Sequence, residues 1–464
     1  MKFFNLDNDQ SPDVWVVTQL ALIQSDRFAF AFHFNFFQTY LPDESALDLL
    51  ALIYADTTSG EVALHLSVFK KTEELIIDIQ SLPDDLMSIQ QFVTANCLPI
   101  FQVSAPWELV PVHIPKPWGQ EIWFTGIEAR GQAAVKCNGG SIPLPWILAL
   151  FPQAQQSLIL LKVLDPLPDE VYGDLYFELH EKKQEVYVVT SVDKQAWPSG
   201  IGRIQLGFSS DKRREYLNEN DFKKAYLDAV ANYEKVRREL DRKIDGLSLS
   251  SSIDPSVAET AQYLKKCINI LSQSIENKEL IHTEQKLRHI MNGFVNYLPL
   301  VVGDTLAIPR RVPHALQHGV KVVEFQTPVY ERKILSFAQK VITQDHWDTE
   351  SALEIAEIDY TFHSTIESLI HCERLSVEQI VSFDDFLVRR INLEAGYYEL
   401  EMSSYSLVMP IKGKLNLIWG DGAYQELAAG SAVLIPEELG GRYRFVAESS
   451  CLFLHALPKA FDQV

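Results

Sequence analysis

The chain has 464 residues, of which 41 are Lys or Arg and 62 are Asp or Glu, so its formal net charge is −21. That length suggests about two to four domains. A hydrophobic content of 47% with 22% charged residues is that of a globular protein and excludes a largely disordered one. The acidic balance argues against a surface built mainly to bind nucleic acid or an anionic membrane.

The five cysteines lie far apart in the sequence: Cys97, Cys137, Cys267, Cys372 and Cys451. They form no Cys-x-x-Cys pair, which excludes a dense disulfide framework and a cysteine-built zinc module and fits a reducing compartment. The most apolar tract, 142–151, has ten residues, whereas a membrane span needs about 20. Because the N-terminus also lacks the apolar run of a signal peptide, we expect a soluble, cytoplasmic protein with no membrane partner.

The first half of the chain changes from mixed to strand-rich. Residues 1–105 form an α+β region of unknown role, in which 62–68 and 75–80 have the pattern of strands and 83–96 that of a helix. Residues 106–210 contain many short β-branched and aromatic segments between Pro and Gly. Such close spacing predicts a sandwich or barrel.

A helical insert follows at 211–294. Its first helix is predicted over 218–245, with Asn218 or Asn220 as N-cap and Gly246 just past its end. Two further helices are predicted at about 255–277 and 283–293.

Strands return after the insert, so that 295–345 is expected to complete the β-rich domain begun at 106–210. Residues 346–464 are predicted to form a second β-rich domain after a helix at 347–358.

The segment 173–187 contains the first candidate metal ligands. Glu178 and His180 are two residues apart, so on a β-strand both side chains would leave the same face. Glu185 comes five residues after His180, and a hairpin could return it to that face. Taken alone, this group is better explained as hydrogen-bonded structure.

The segment 303–317 contains a second candidate. A Gly-Asp turn leads into a strand that ends at Pro309, and His314 comes five residues later. Imidazole and carboxylate groups from two such segments suit Zn, Fe or Mn. The alternative is a polar, hydrogen-bonded barrel interior.

The two segments together resemble the two motifs of the cupin fold. Glu178-x-His180-x4-Glu185 is similar to the first motif, and Gly303-x5-Pro309 followed by His314 is similar to the second. The frame Gly430-x5-Pro436 repeats the second motif without a following His. The resemblance implies a mainly β protein with two cupin (jelly-roll) barrels, a helical insert and a metal in the first barrel alone.

Within the cupins, residues of about 106–460 resemble the type I mannose-6-phosphate isomerases (phosphomannose isomerases). The similar segments are Lys116-Pro117-Trp118-Gly119 with Trp123, LLKVLD at 160–165, Lys183-x-Glu185, and GDTLAIPRRVPHAL followed by a strand containing Glu324. The resemblance implies interconversion of mannose 6-phosphate and fructose 6-phosphate through an enediol, with a sugar phosphate as the small-molecule partner. It also implies one divalent metal ion, expected to be zinc, held by Glu178, His180, Glu185 and His314.

The resemblance and the chemistry together suggest roles in the reaction for three more residues. Glu324 is the candidate proton shuttle, or else a strand-end salt-bridge partner. Arg332 would stabilise the enediolate or hold the phosphate, or else lies in a charged surface turn. Lys183 would contact substrate, or else forms an exposed hairpin tip with Lys182.

Three further candidates for substrate binding are weaker. Arg311, with Arg310 beside it, would supply charge for the phosphate. Lys116 and Trp118 would line the substrate pocket, although Trp118 and Trp123 are also expected as packing residues.

Four departures from the family pattern leave other functions open. Glu178 replaces a Gln, Arg311 replaces a Gly, the stretch between His180 and Glu185 is short, and Arg332 comes two residues early. The short stretch and the Gln-to-Glu change support a cupin that binds a sugar or sugar phosphate without turnover. A third possibility is an isomerase of an unphosphorylated sugar.

Overall fold

The structure of the chain is a computed structural model. It describes residues 1–22, 25–58, 63–153, 158–247, 257–339, 346–364, 366–402, 404–420, 422–437 and 441–459.

Within these residues the strands are, in chain order, β1 (Lys2–Asn5), β2 (Arg27–Phe37), β3 (Ala46–Asp56), β4 (Ala63–Lys70), β5 (Phe101–Gln102), β6 (Trp107–Val110), β7 (Val112–Lys116), β8 (Gly119–Trp123), β9 (Ile127–Glu128), β10 (Gly131–Gln132), β11 (Ala134–Cys137), β12 (Gly140–Pro143), β13 (Leu160–Pro166), β14 (Phe177–Leu179), β15 (Glu185–Val192), β16 (Gly202–Phe208), β17 (Val295–Leu300), β18 (Thr305–Ile308), β19 (His314–Leu316), β20 (Val320–Gln326), β21 (Lys333–Ser336), β22 (Glu367–His371), β23 (Leu375–Ser382), β24 (Phe386–Leu393), β25 (Gly396–Met402), β26 (Ser406–Lys412), β27 (Lys414–Trp419), β28 (Ala423–Ala428), β29 (Val433–Ile435), β30 (Gly441–Ala447) and β31 (Cys451–Pro458). The helices are α1 (Pro12–Ala21), α2 (Glu73–Gln80), α3 (Leu86–Ala95), α4 (Leu144–Leu148), α5 (Ser210–Arg213), α6 (Glu219–Asp245), α7 (Val257–Leu271), α8 (Ile275–Asn292) and α9 (Thr349–Ile355).

The described chain is mainly β with a helical insert, as predicted. It falls into two compact units, of which the first comprises Met1–Val112, Trp123–Leu161 and Ile366–Val464 and the second His113–Ile122 and Lys162–Thr365. The two-barrel architecture and the domain boundaries expected from sequence stay predictions. In the part of the chain that the structure describes, no helix is long and apolar enough to cross a membrane.

The first unit is built from several sheets. A five-stranded sheet has the order β1-β2-β3-β4-β5, with β1 parallel to β2, and its core includes residues of α2 and α3. A nine-stranded sheet has the order β12-β11-β6-β29-β26-β31-β24-β23-β22. A four-stranded sheet, β25-β30-β27-β28, shares a buried apolar core with it. Strands β9 and β10 form a separate pair.

The second unit contains a six-stranded sheet, β18-β15-β20-β13-β8-β7, and a five-stranded sheet, β17-β16-β19-β14-β21. Buried side chains of both sheets, such as Tyr187 on β15 and Ile204 on β16, share one apolar core, which we call the inner core. The five-stranded sheet also packs against the helices, where Phe208 contacts Phe222 and Tyr226 of α6 in an outer core. The sheet therefore has two covered faces.

Two details of the predicted elements are wrong. Segment 75–80 was expected to be a strand but belongs to α2, because the Thr72 side chain caps the helix by accepting from the Leu75 N–H at 3.3 Å. The helix predicted to reach residue 277 ends at Leu271, since Ser274 caps a new helix by accepting from the Asn277 N–H at 3.2 Å. The helix predicted at 283–293 is thus the second half of α8.

His455 on β31 makes the first unit sensitive to acid. Its side chain is fully buried, and neither ring nitrogen has a hydrogen-bond partner among the described residues. Burial, helped by the charge of Arg389, lowers the pKa of His455 to about 3. In the unfolded chain the imidazole has a pKa of about 6.5. At pH values between these two pKa values, His455 therefore binds a proton in the unfolded chain but not in the folded one.

We expect this proton to destabilise the fold as the pH falls through that window. The free energy of unfolding should drop by up to about 1.4 kcal/mol per pH unit below pH 6 through His455 alone. The free energy of unfolding, measured with urea at several pH values, should change with pH less steeply by that amount in His455→Leu than in the wild type. The variant His371→Leu, at an exposed position on β22, should match the wild type. Equal slopes in all three proteins would contradict the role of His455.

Candidate metal centre and active site

Strand pairing in the second unit brings the candidate ligands together. Antiparallel pairing of β14 with β19 places Glu178 directly opposite His314. His180 follows the end of β14, and Glu185 begins β15 in the six-stranded sheet. Pairing of β15 with β20 then sets Tyr187 opposite Glu324.

His180, Glu185 and His314 form a buried group whose ligand atoms all lie within 4.8 Å of one another. The distance from His180 Nε2 to Glu185 Oε1 is 3.4 Å, and that from His314 Nε2 to Glu185 Oε2 is 3.2 Å. Glu178, the fourth predicted ligand, is half-buried, with its Oε1 3.9 Å from His180 Nε2. All four predicted ligands are thus brought to one place.

The hydrogen bonds of the two imidazoles show that this group fits a cation. Nδ1 of His180 lies 2.9 Å from the carbonyl oxygen of Glu331, and Nδ1 of His314 lies 3.0 Å from that of Val312. Because a carbonyl only accepts, each Nδ1 carries a proton. In a neutral imidazole Nε2 is then an acceptor, and both Nε2 atoms face the oxygens of Glu185. Nε2 of His180 has no hydrogen-bond partner among the described residues.

The electrostatics favour neutral His180 and ionised Glu185. Burial and the charge of Lys183 lower the pKa of His180 well below its usual range. Burial by itself would raise the pKa of Glu185, but the charge of Lys183 holds it well below its ordinary value. An acceptor nitrogen therefore faces a carboxylate, which is an arrangement that a divalent metal ion would satisfy.

Lys183 lies inside this group. Its Nζ is 2.6 Å from Glu185 Oε1, and its side chain is buried while that of Lys182 is exposed. The exposed hairpin tip considered from sequence therefore applies to Lys182 alone. The hydroxyl of Tyr187 donates to the other oxygen of Glu185, Oε2, at 2.9 Å.

A second buried carboxyl, Glu324 on β20, begins a row of charges. Lys162 Nζ is 3.1 Å from Glu324 Oε2 and 3.9 Å from Glu121 Oε2, and Lys116 Nζ is 2.9 Å from Glu121 Oε1. Sequence reasoning did not single out Lys162 or Glu121. The available signal was a charged residue followed by apolar ones inside each of two short segments, Lys162 in LLKVLD and Glu121 in GQEIW.

The pKa values of the two buried carboxyls, Glu185 and Glu324, are shifted in opposite directions. Burial and the charge of Glu185 raise the pKa of Glu324 well above its ordinary value, against the effect of Lys162. Burial would lower the pKa of Lys162, but Glu121 and Glu324 raise it instead. Neighbouring carboxyls whose environments move their pKa values apart are suited to acid–base chemistry.

Arg332 points toward the same group. Its guanidinium NH1 is 4.0 Å from Glu178 Oε2, and its Cζ lies 4.9 Å from the centre of the Tyr176 ring. Burial would lower the pKa of Arg332, but Glu178 raises it. The guanidinium therefore stays charged beside the predicted ligands.

The other predicted substrate-binding residues have different surroundings. The side chain of Arg311 is exposed, as is that of Arg310, and the Arg311 backbone N–H donates to the His180 carbonyl at 2.7 Å. Arg311 has φ +65°, a conformation that glycine adopts without strain, which explains why the similar motif has Gly there. Lys116 faces Glu121, and Trp118 is buried in the inner core.

We expect the row of buried charges to depend on Lys162. Lys162→Met leaves Glu121 and Glu324 facing each other without the ammonium, and it should lower the free energy of unfolding by about 3–5 kcal/mol. Lys321→Met, which breaks the more exposed pair with Asp165 at 3.3 Å, should cost less than about 1 kcal/mol. Denaturant unfolding measures both, and equal losses would contradict the buried pairing.

We also expect zinc to stabilise the protein through the buried group. Free Zn²⁺ at 100 times its Kd should add about 2.7 kcal/mol to the free energy of unfolding. His180→Ala and His314→Ala should lose this gain, whereas the exposed His282→Ala on α8 should retain it. A thermal shift with Zn²⁺ that is the same in all four proteins would show that the metal binds elsewhere.

Comparison with known proteins identifies the fold. No family model and no curated protein matches the sequence. The structure is similar to that of mannose 6-phosphate isomerase from Bacillus subtilis, with 14% identity and a TM-score of 0.51 over 76% of this chain and 99% of that chain. It is equally similar to a variant of phosphomannose isomerase from Salmonella typhimurium, with 12% identity and a TM-score of 0.51 over 77% of this chain and 100% of that chain. The resemblance to phosphomannose isomerases is thus confirmed for the fold.

Proposed function

We propose that the protein is a metal-dependent sugar-phosphate isomerase that interconverts mannose 6-phosphate and fructose 6-phosphate through an enediol. The observation that carries the proposal is that two cations, Lys183 and Arg332, lie beside the same carboxylates that face His180 and His314. A phosphosugar enzyme needs such cations near its reacting centre. Similarity in fold to structures named as mannose 6-phosphate isomerases adds support.

We also propose that the chain contains two cupin barrels, of which only the first holds a metal ion. The two sheets around the inner core would be a first cupin barrel, and the nine- and four-stranded sheets would contain a second one without metal. Glu178, His180, Glu185 and His314 would hold one divalent ion, for which we propose zinc. When bound, the ion would polarise the sugar oxygens and stabilise negative charge as it develops.

Glu324 would transfer the proton. Conversion of the aldose to the ketose removes a proton from C2 and returns one to C1, so one carboxyl can accept the first and deliver the second. Lys162, 3.1 Å away, would stabilise the ionised form of Glu324 before the first step and after the second. Burial of Glu324 would keep bulk water from this proton.

Arg332 and Lys183 would hold the anionic parts of the substrate. The guanidinium of Arg332 is oriented by the Tyr176 ring, which favours one direction of approach to an oxygen. Lys183 would act as a point charge at the other side of the group. Arg311 contributes through its backbone contact to His180, and Lys116 through Glu121.

A second candidate function is a cupin that binds a sugar or sugar phosphate without turnover. The observation that favours it is the ion pair between Lys183 and Glu185, because the ammonium takes up one oxygen of a proposed metal ligand. An isomerase of an unphosphorylated sugar is a third possibility. Such an enzyme would not need a cation at the position of Arg332.

The test is turnover of mannose 6-phosphate by zinc-loaded protein, followed as fructose 6-phosphate formed. Chelation should abolish turnover and added Zn²⁺ restore it. Glu324→Gln should lower kcat by about 10²–10⁴-fold, as expected for loss of general acid–base catalysis, whereas Glu279→Gln on the exposed side of α8 should leave it unchanged.

The other outcomes distinguish the candidates. Calorimetric binding of mannose 6-phosphate without turnover would favour the binding protein. Turnover of mannose but not of its phosphate, unaffected by Arg332→Met, would favour the unphosphorylated substrate.

A further inference from the structure

The second unit contains a cavity of about 550 Å³ between the five-stranded sheet and α8. The alternation of side chains along β19 shows on which face of the five-stranded sheet the cavity lies. Leu316 belongs to the inner core and Ala315 to the outer core against the helices. Gln317, on the same side as Ala315, lines the cavity, so His314 and the cavity lie on opposite faces of one sheet.

The cavity is lined by polar residues where the same face is otherwise apolar. Arg203 and Gln205 come from β16, Tyr297 from β17 and Arg288 from α8. Gln205 is 7% exposed and Gln317 is 2% exposed. The Gln205 amide donates to the Tyr297 hydroxyl at 3.0 Å and the Gln317 amide to the Ala315 carbonyl at 3.2 Å, which offsets the cost of burying them. A few convergent polar groups around a space of this size are typical of a small-molecule site.

Arg203 is held in place and oriented. Its guanidinium lies 4.4 Å from the ring centre of Tyr297 and 5.4 Å from that of Trp197. Trp197 in turn stacks on His318 at 4.7 Å. Nε of Arg203 is buried and has no hydrogen-bond partner among the described residues. The aromatic rings therefore fix a cation whose donor is left to bind something else.

Arg288 adds a second positive charge. The nearest recorded carboxylate oxygen, Glu284 Oε1, is 3.6 Å from Arg288 Nε and already accepts from the Tyr233 hydroxyl at 2.8 Å. This carboxylate is shared and does not saturate the guanidinium, which has five N–H donors.

Among the described residues, the carboxylates of the lining form no ion pair with Arg203 or Arg288. Asp174 accepts from the backbone N–H of His318 at 3.0 Å, and the Nδ1 of His318 lies 2.7 Å from the same oxygen. Glu170, the other acidic lining residue, is exposed. The interior of the cavity is therefore suited to an anion.

We propose that this cavity is a second ligand site, which binds the phosphate or carboxylate group of a small polar metabolite. Arg203 and Arg288 bind the oxyanion, and the amides of Gln205 and Gln317 contact hydroxyl or carbonyl oxygens elsewhere on the ligand. The proposal is independent of the proposed isomerase activity, because it uses residues on the other face of the sheet.

Calorimetric titration of the full chain with inorganic phosphate, and separately with succinate, tests the proposal. At least one anion should bind the wild type, and the tighter of the two identifies the ligand class. Arg203→Met and Arg288→Met should each weaken that binding at least tenfold. Arg238→Met, which removes an exposed Arg of α6 paired with Glu234, should leave it unchanged.

Two further variants separate this site from the barrel and from misfolding. Arg332→Met, which would remove any phosphate binding at the other group, should keep the binding that depends on Arg203, because the two groups lie on opposite faces of the sheet. Gln205→Glu keeps the aromatic rings around Arg203 but adds a negative charge, and should also weaken binding at least tenfold. Circular dichroism and unfolding without ligand identify any variant that does not fold.

Three results would overturn the proposal. They are absence of binding of both anions to the wild type, unchanged binding in folded Arg203→Met and Arg288→Met, and loss in Arg332→Met of the same binding that Arg203→Met loses.

Discussion

A buried carboxylate, Glu185, organises the candidate site. An isolated charge in the interior of a protein is strongly unfavourable, so Glu185 needs partners. Lys183 and the Tyr187 hydroxyl donate to its two oxygens at 2.6 and 2.9 Å, and Nε2 of His180 and of His314 lie within 3.4 Å of them. These side chains come from both sheets of the second unit, so the chemistry exists only where the two sheets meet.

The same requirement for paired charges extends away from Glu185. Glu324 is buried next to it and would be costly as a second carboxylate, and Lys162 is placed against it. Lys162 in turn needs Glu121, and Glu121 is matched by Lys116. A row of alternating charges therefore runs along the six-stranded sheet, and one of its ends is the acid–base candidate.

The five-stranded sheet separates two different environments. Its inner face contributes His314 and Glu178 to the metal candidate, whereas its outer face is covered by helices and contributes Arg203 and Gln205 to a polar cavity. Because neighbouring residues of a strand point to opposite faces, Ala315 and Gln317 lie within three positions of His314 yet belong to the other environment. A short stretch of sequence thus contributes side chains to two separate sites.

The sequence by itself determined local features that depend on neighbours in the chain. The helix over 219–245 follows from its apolar spacing and the Asn218 cap, and a strand containing Glu324 was predicted where β20 lies. The grouping of Glu178, His180, Glu185 and His314 was predicted because two motifs with fixed spacing resembled a known fold. Segment 75–80 was misread because a short apolar run fits a strand or a helix, and the Thr72 cap decided it.

Only the tertiary structure decided which charges meet. Lys162 and Glu121 are 41 residues apart, and nothing local marks them as partners of each other or of Glu324. The burial of Lys183, the backbone contact of Arg311 to His180 and the cavity around Arg203 likewise come from strand pairing and from helices packed on a sheet. These contacts join residues far apart in the chain, and their energies depend on burial, which a sequence pattern does not contain.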